Sequence, residues 1–146
     1  MKNQSSVTDD LKILIETLST EIQSDIVLYA GPLERPGDIE LISRCRERRH
    51  KKALLLLATY GGDAHSAYRI ARYFQRCYDS FSVYIHTVCK SAGTLLALGA
   101  NEIIMSDYAE IGPLDVQLQK DDELGARSSG LAITQALSTL TSQAFD

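Results

Sequence analysis

Cysteine is scarce in this chain: three in 146 residues, Cys45, Cys77 and Cys89. The number is odd, no CxxC pair occurs and no paired His/Cys spacing accompanies them, so neither a disulfide framework nor a zinc site is indicated. Reduced thiols fit a cytoplasmic location. Long apolar runs are also missing. No stretch approaches about 18 uninterrupted apolar residues, which speaks against a membrane span. The opening "MKNQSSVTDDLKILIETLSTEIQ" lacks both the apolar core and the small-residue cleavage site of a secretory signal. An excess of positive charge is absent too: 15 Lys and Arg stand against 19 Asp and Glu, a formal net charge of −4. That balance disfavours nucleic acid or an anionic membrane as partner. No cofactor-binding or metal-ligating motif stands out, so neither a cofactor nor a metal is expected.

What the chain does have is enough apolar material for one domain. It is 45% hydrophobic and 23% charged, and a domain of this size buries about 68–70% of its unfolded surface. Strand-like and helix-like patterns alternate along it. "DDLKILIETLSTEIQ" places Leu11, Leu14, Ile15 and Leu18 at helical spacing, giving an N-terminal helical extension over residues 1–24. "DIVLYAGPL" reads as a strand, and "GDIELISRCRERRHKK" returns to helical spacing through Ile39, Ile42 and Cys45. The run "ALLLLATYGG" is continuous enough for a strand buried on both faces, and the helix after it aligns Ala67, Ile70, Ala71 and Phe74. "FSVYIHTV", "SAGTLLALGA" and "EIIMS" continue as strand, short buried helix and strand. These repeated βα units predict an α/β fold, a mainly parallel sheet flanked by helices, with strands at 26–30, 53–59, 82–87 and 102–105.

Parallel sheets of this kind build their sites in the loops after the carboxyl ends of the strands. Two loops stand out. In "TYGGDAHSA", Gly61 and Gly62 permit positive φ and let a backbone N–H come close to a bound oxygen. A Gly pair also suits an ordinary turn into a helix capped by Asp63. In "CKSAGT", Ser91 stands where a strand stops and a helix starts, with the amide of Ala92 pointing into the same space. Free N–H groups there stabilise an oxyanion. The same position suits a plain N-cap serine, so the residues alone leave nucleophile and cap both open.

Taken in order, "LLLLATYGGDAHSAYRIARYF" and "VYIHTVCKSAGTLLALGANEIIMSDYAEIGPLD" resemble the Clp-protease/crotonase fold superfamily. The resemblance covers residues 25–118 and is nearest to the serine dehydrogenase proteinase family, relatives of signal peptide peptidase A. It implies Ser91 as nucleophile, the amides of Gly62 and Ala92 as oxyanion hole, a peptide or protein substrate and a homo-oligomer. The general base is not given by motif: where Clp proteases carry a histidine, this chain reads "EIGPLDVQL". Asp115 lies in that neighbourhood. Lys90 adjoins Ser91, as in a Ser-Lys dyad, although neighbouring side chains at a helix start diverge. His65 follows the Gly-Gly loop. His86 shares a strand face with Tyr84, and Cys89 is expected to be a buried small hydrophobe rather than a nucleophile.

The run "RCRERRHKK" is read as the solvated face of the helix before the buried strand. Residues 119–146 read as a polar loop followed by an apolar-spaced helix that ends without a stop signal, so the chain is expected to continue past residue 146. Two further functions are kept: a crotonase-like acyl-CoA enzyme using the same two amides on an enolate, and a catalytically degenerate scaffold.

Overall fold

The computed structural model describes residues 3–113, 117–119 and 127–129. The chain divides into two compact units, Met1–Gly112 and Pro113–Asp146. In the first, the elements run α1 (Asn3–Ile22), β1 (Ser24–Ala30), α2 (Gly37–Arg44), β2 (Lys52–Thr59), α3 (Ala64–Cys77), β3 (Ser80–Cys89), α4 (Ala92–Leu98), β4 (Glu102–Met105) and β5 (Glu110–Ile111). The strands form one parallel sheet in the order β1-β2-β3-β4, with β5 pairing to the end of β3. The expected α/β architecture and all four strands are there. In the second unit, β6 (Gln117–Gln119) pairs antiparallel with β7 (Arg127–Ser129). The expected C-terminal helix and Asp115 lie outside the described residues.

The core forms on one face of the sheet. Alternation along β2 buries Ala53, Leu55, Leu57 and Thr59, and β3 contributes Phe81, Val83 and Ile85. Against them pack Ala67, Ile70, Ala71 and Phe74 of α3, the residues its 3.6-residue period selects, with Leu96 and Ala97 of α4. Phe74 stacks on Tyr78 at 5.5 Å and meets Phe81 at 5.2 Å, so truncating it to alanine is expected to cost about 3–5 kcal/mol. The opposite face is only half covered: the register row Leu28, Leu56, Tyr84, Ile104 crosses all four strands there, with Leu28 67% exposed. β2 is therefore fully buried on one face only, not on both as its apolar run suggested.

α2 is shorter than its pattern implied. It ends at Arg44, and the basic run continues as turn and bend residues up to β2, so most of that run does not line a helix. Its inner face is Asp38 and Leu41, continued by the buried Cys45 at its C-cap, while Ile39 is exposed. An ion pair from Asp38 to Arg69 of α3 sets that orientation, overriding the apolar residue next to it.

Between β2 and β3 the register slips. Leu57 opposes Ile85, yet Thr59 opposes Cys89, so β3 carries two more residues than β2 over the same interval. The last residues of β3 are then held by β5, through Val88 to Glu110 and Cys89 to Ile111.

Candidate active site

Lys90 and Ser91 alone join β3 to α4, and the turn is sharp. Ser91 adopts φ 49° and ψ −120°, and although it occupies the N-cap position its side chain makes no capping hydrogen bond. Positive φ costs a non-glycine residue about 1–2 kcal/mol, so neighbours have to impose it. They do: Lys90 N donates to Thr59 O at 3.0 Å, Gly93 N to Lys90 O at 2.8 Å and Thr94 N to Ser91 O at 2.9 Å. Thr94 Oγ1 donates to Gly112 O at 2.7 Å, and Gly112 N to Cys89 O at 2.8 Å. A strained serine whose hydroxyl bonds to no described residue, at a strand-to-helix turn, has the geometry of a nucleophile elbow.

The Gly-Gly loop packs directly on this turn. Gly61 and Gly62 have φ of 106° and 140°. A Cβ on Gly61 would lie 2.8 Å from Ser91 Cβ and 3.3 Å from the Ala92 nitrogen. On the other side, Leu33 forms a one-residue parallel bridge with Gly62: Leu33 N donates to Gly61 O at 2.8 Å and Asp63 N donates to Leu33 O at 2.6 Å. The peptide is planar and trans, so holding the Gly61 carbonyl toward Leu33 aims the Gly62 N–H the opposite way. The amides of Gly62 and Ala92 hydrogen-bond to no described residue. Leu33, fully buried, was not singled out from the sequence, because a bridge one residue long leaves no periodic pattern.

The groups considered as base occupy different surroundings. Lys90 Nζ lies 2.6 Å from Glu110 Oε2, and this lysine holds the Glu110 carboxyl below its ordinary range. His65 is exposed in the first turn of α3 and engages Asp63 through its backbone amide at 3.1 Å. His86 Nδ1 is 3.3 Å from Tyr84 Oη on the outer sheet face, as the strand alternation placed it. Cys89 is buried, and burial pushes its thiol up to about 11.

A second cluster was also invisible in the sequence. Asp63 caps α3, accepting from His65 N and from Ser66 N at 3.0 Å, as expected of it, and also from Ser66 Oγ at 2.8 Å. Ser66 Oγ accepts from Arg69 Nη2 at 3.0 Å, and Arg69 Nε donates to Asp38 Oδ2 at 2.8 Å, with Nη2 bonding the same oxygen. Asp38 is fully buried. Burial alone raises its carboxyl, but the Arg69 guanidinium, the Ile39 amide and Ser66 together hold it below the ordinary carboxylate range.

The parallel sheet, with the Ser91 turn packed on a glycine loop at its carboxyl edge, is a Clp-type α/β fold. The chain belongs to the ClpP-like SDH-type serine proteinase family, whose model matches residues 36–128. Its structure is similar to a serine-to-alanine mutant of the 1510-N membrane-bound stomatin-specific protease (19% identity, TM-score 0.59, covering 79% of this chain and 59% of that one). It is also similar to a lysine-to-alanine mutant of that protease in complex with a substrate peptide (21% identity, TM-score 0.60, 79% and 56% covered), and to the ClpP protease catalytic domain from Plasmodium falciparum (12% identity, TM-score 0.50, 64% and 60% covered). At these identities the likeness shows the fold. The chain spans less than two thirds of the length of each of these proteins. No curated protein's sequence matches it.

Proposed function

We propose that this protein is a serine peptidase whose catalytic core is residues 25–118. Ser91 Oγ attacks the carbonyl carbon of a peptide bond and loses its proton to a base. The amides of Gly62 and Ala92 hold the oxyanion, the C–N bond breaks as the amine leaves with a proton, and water hydrolyses the ester. The observation that carries this reading is Ser91 itself, held at positive φ with no capping bond and packed against Gly61. Family membership favours it over the acyl-CoA and scaffold readings.

Three groups are proposed to take or direct the proton: Lys90 or His65 as base, and Asp115 to orient the base or polarise a water. Lys90 takes the role of base if its ammonium leaves Glu110. His65 offers an exposed imidazole beside the glycine loop, and Asp115 follows β5 in sequence. A homo-oligomer in the cytoplasm completes the proposal. The part-exposed row Leu28 to Ile104 and the exposed Leu11, Leu14 and Leu18 of α1 support assembly. Among the described residues no helix is long and apolar enough to cross a membrane.

A fluorophosphonate probe tests the reaction. Full-length protein is expected to be labelled at Ser91, and labelling is expected to vanish in Ser91→Ala. Labelling that survives that substitution refutes the assignment.

A further inference from the structure

Outside the Ser91 turn, the buried carboxylate of Asp38 is the titratable group whose connections lead furthest. We infer that Asp38 and Arg69 are positioning residues for the oxyanion loop, acting through Ser66 and Asp63; the inference rests on the serine peptidase reading. The Gly62 amide has to be aimed from both sides. One side is the Leu33 bridge, which fixes the Gly61–Gly62 peptide plane. The other is Asp63, whose nitrogen is bound to Leu33 O and whose carboxylate takes three donors from the start of α3.

Leu33 and Gly62 sit on different pieces of chain, and the spacing between those pieces is set by the clamp. Leu33 enters α2, where Asp38 N donates to Glu34 O at 3.2 Å and Ile39 N donates to Asp38 Oδ1 at 2.8 Å. Gly62 enters α3, where Arg69 lies. The Asp38–Arg69 pair ties the two helix starts together, and the bond from Arg69 to Ser66 and on to Asp63 carries the tie to the residue after Gly62. A pair between a buried carboxylate and a part-exposed guanidinium adds little net stability over apolar side chains of equal volume. Its geometric effect is larger, since a shift of about 1 Å in a catalytic group can cost about 100-fold in rate.

The test uses full-length Asp38→Asn, Arg69→Lys and Ser66→Ala proteins. It measures the second-order rate of fluorophosphonate labelling at Ser91, and kcat and KM on a peptide substrate. Labelling rate and kcat are expected to fall about 10- to 100-fold, with KM within about twofold of wild type. Millimolar guanidinium is expected to restore part of the labelling rate in Arg69→Ala without changing its melting temperature. Ser66→Ala removes one hydroxyl and decides the matter if the Asp38 and Arg69 variants do not fold. Folded variants with wild-type labelling and kcat, or a rise in KM at unchanged kcat, overturn the inference while leaving Ser91 as nucleophile. A wild-type protein that is not labelled at Ser91 overturns the peptidase reading, and the inference with it.

Discussion

Replacing Ser91 separates nucleophile from cap without any measurement of activity. A capping serine changed to alanine loses about 0.5–2 kcal/mol. Here the hydroxyl caps nothing, while the backbone at φ 49° carries about 1–2 kcal/mol of conformational strain. Ser91→Ala removes no hydrogen bond to a described residue and keeps the strain, so its stability is expected to stay within about 0.5 kcal/mol of wild type. Ser91→Gly relieves the strain. Against that relief stands the extra entropy glycine loses on folding, about 0.5–1 kcal/mol, so the net change lies between neutral and about 1.5 kcal/mol of stabilisation. For a chain of this length each kcal/mol moves the melting temperature about 2–4 °C. Urea unfolding and a thermal scan on the three proteins at equal concentration measure the order. The expected order is glycine at or above serine, with alanine level with serine. A loss of about 1 kcal/mol or more in Ser91→Ala shows that Ser91 stabilises its helix as a cap, and the argument from strain to nucleophile then fails.

Gly61→Ala brings a Cβ within 2.8 Å of Ser91 Cβ at a backbone φ of 106°; a loss of about 1–3 kcal/mol in urea unfolding and of fluorophosphonate labelling is expected. Asp38 has its folded pKa held below the ordinary value, so its contribution to stability is present at neutral pH and is lost as pH falls below about 4. In Asp38→Asn, the acid limb of the stability-versus-pH curve is expected to flatten. Lys90→Ala removes a pair with Glu110 that is partly solvated, so unfolding is expected to change by under about 1 kcal/mol, and labelling that persists rules out Lys90 as the base. Burial pushes the thiols of Cys45 and Cys89 up to about 11; iodoacetamide on native protein, read by mass spectrometry, is expected to modify Cys77 first.

The elements with strong periods were legible in the sequence. Ala67, Ile70, Ala71 and Phe74 fixed the inner face of α3, and the β-branched and aromatic alternation of "FSVYIHTV" fixed β3. Ser91 and the glycine pair were legible as positions, because strand-stop and helix-start signals bracket them. Their geometry was not: no local signal distinguishes a capping serine from one forced to positive φ by Thr59, Thr94 and Gly112. Contacts between distant residues also left no trace. The Leu33 bridge and the pairing of Asp38 with Arg69, 31 residues away, arise only when two helix starts meet. α2 was misread for the same reason, since a buried ion pair turned its face away from Ile39.

The register slip between β2 and β3 has a consequence for insertions and deletions. β3 gains two residues on β2 between Ile85 and Cys89, and side chains alternate faces with a period of two. Alternation breaks inside the slip, since Thr87 is exposed between the buried Ile85 and Cys89, and the two extra residues carry Lys90 to its bond with Thr59 O. Deleting one residue from His86 to Val88 is expected to shorten the reach of β3 past β2 and to draw the Ser91 turn back from the glycine loop. Deleting two removes the whole gain over β2 and is expected to break the bond from Lys90 N to Thr59 O. The stretch from His86 to Val88 therefore works as a spacer: substitutions that keep the backbone path are expected to pass, whereas a change of length is expected to shift the Ser91 turn relative to Gly61.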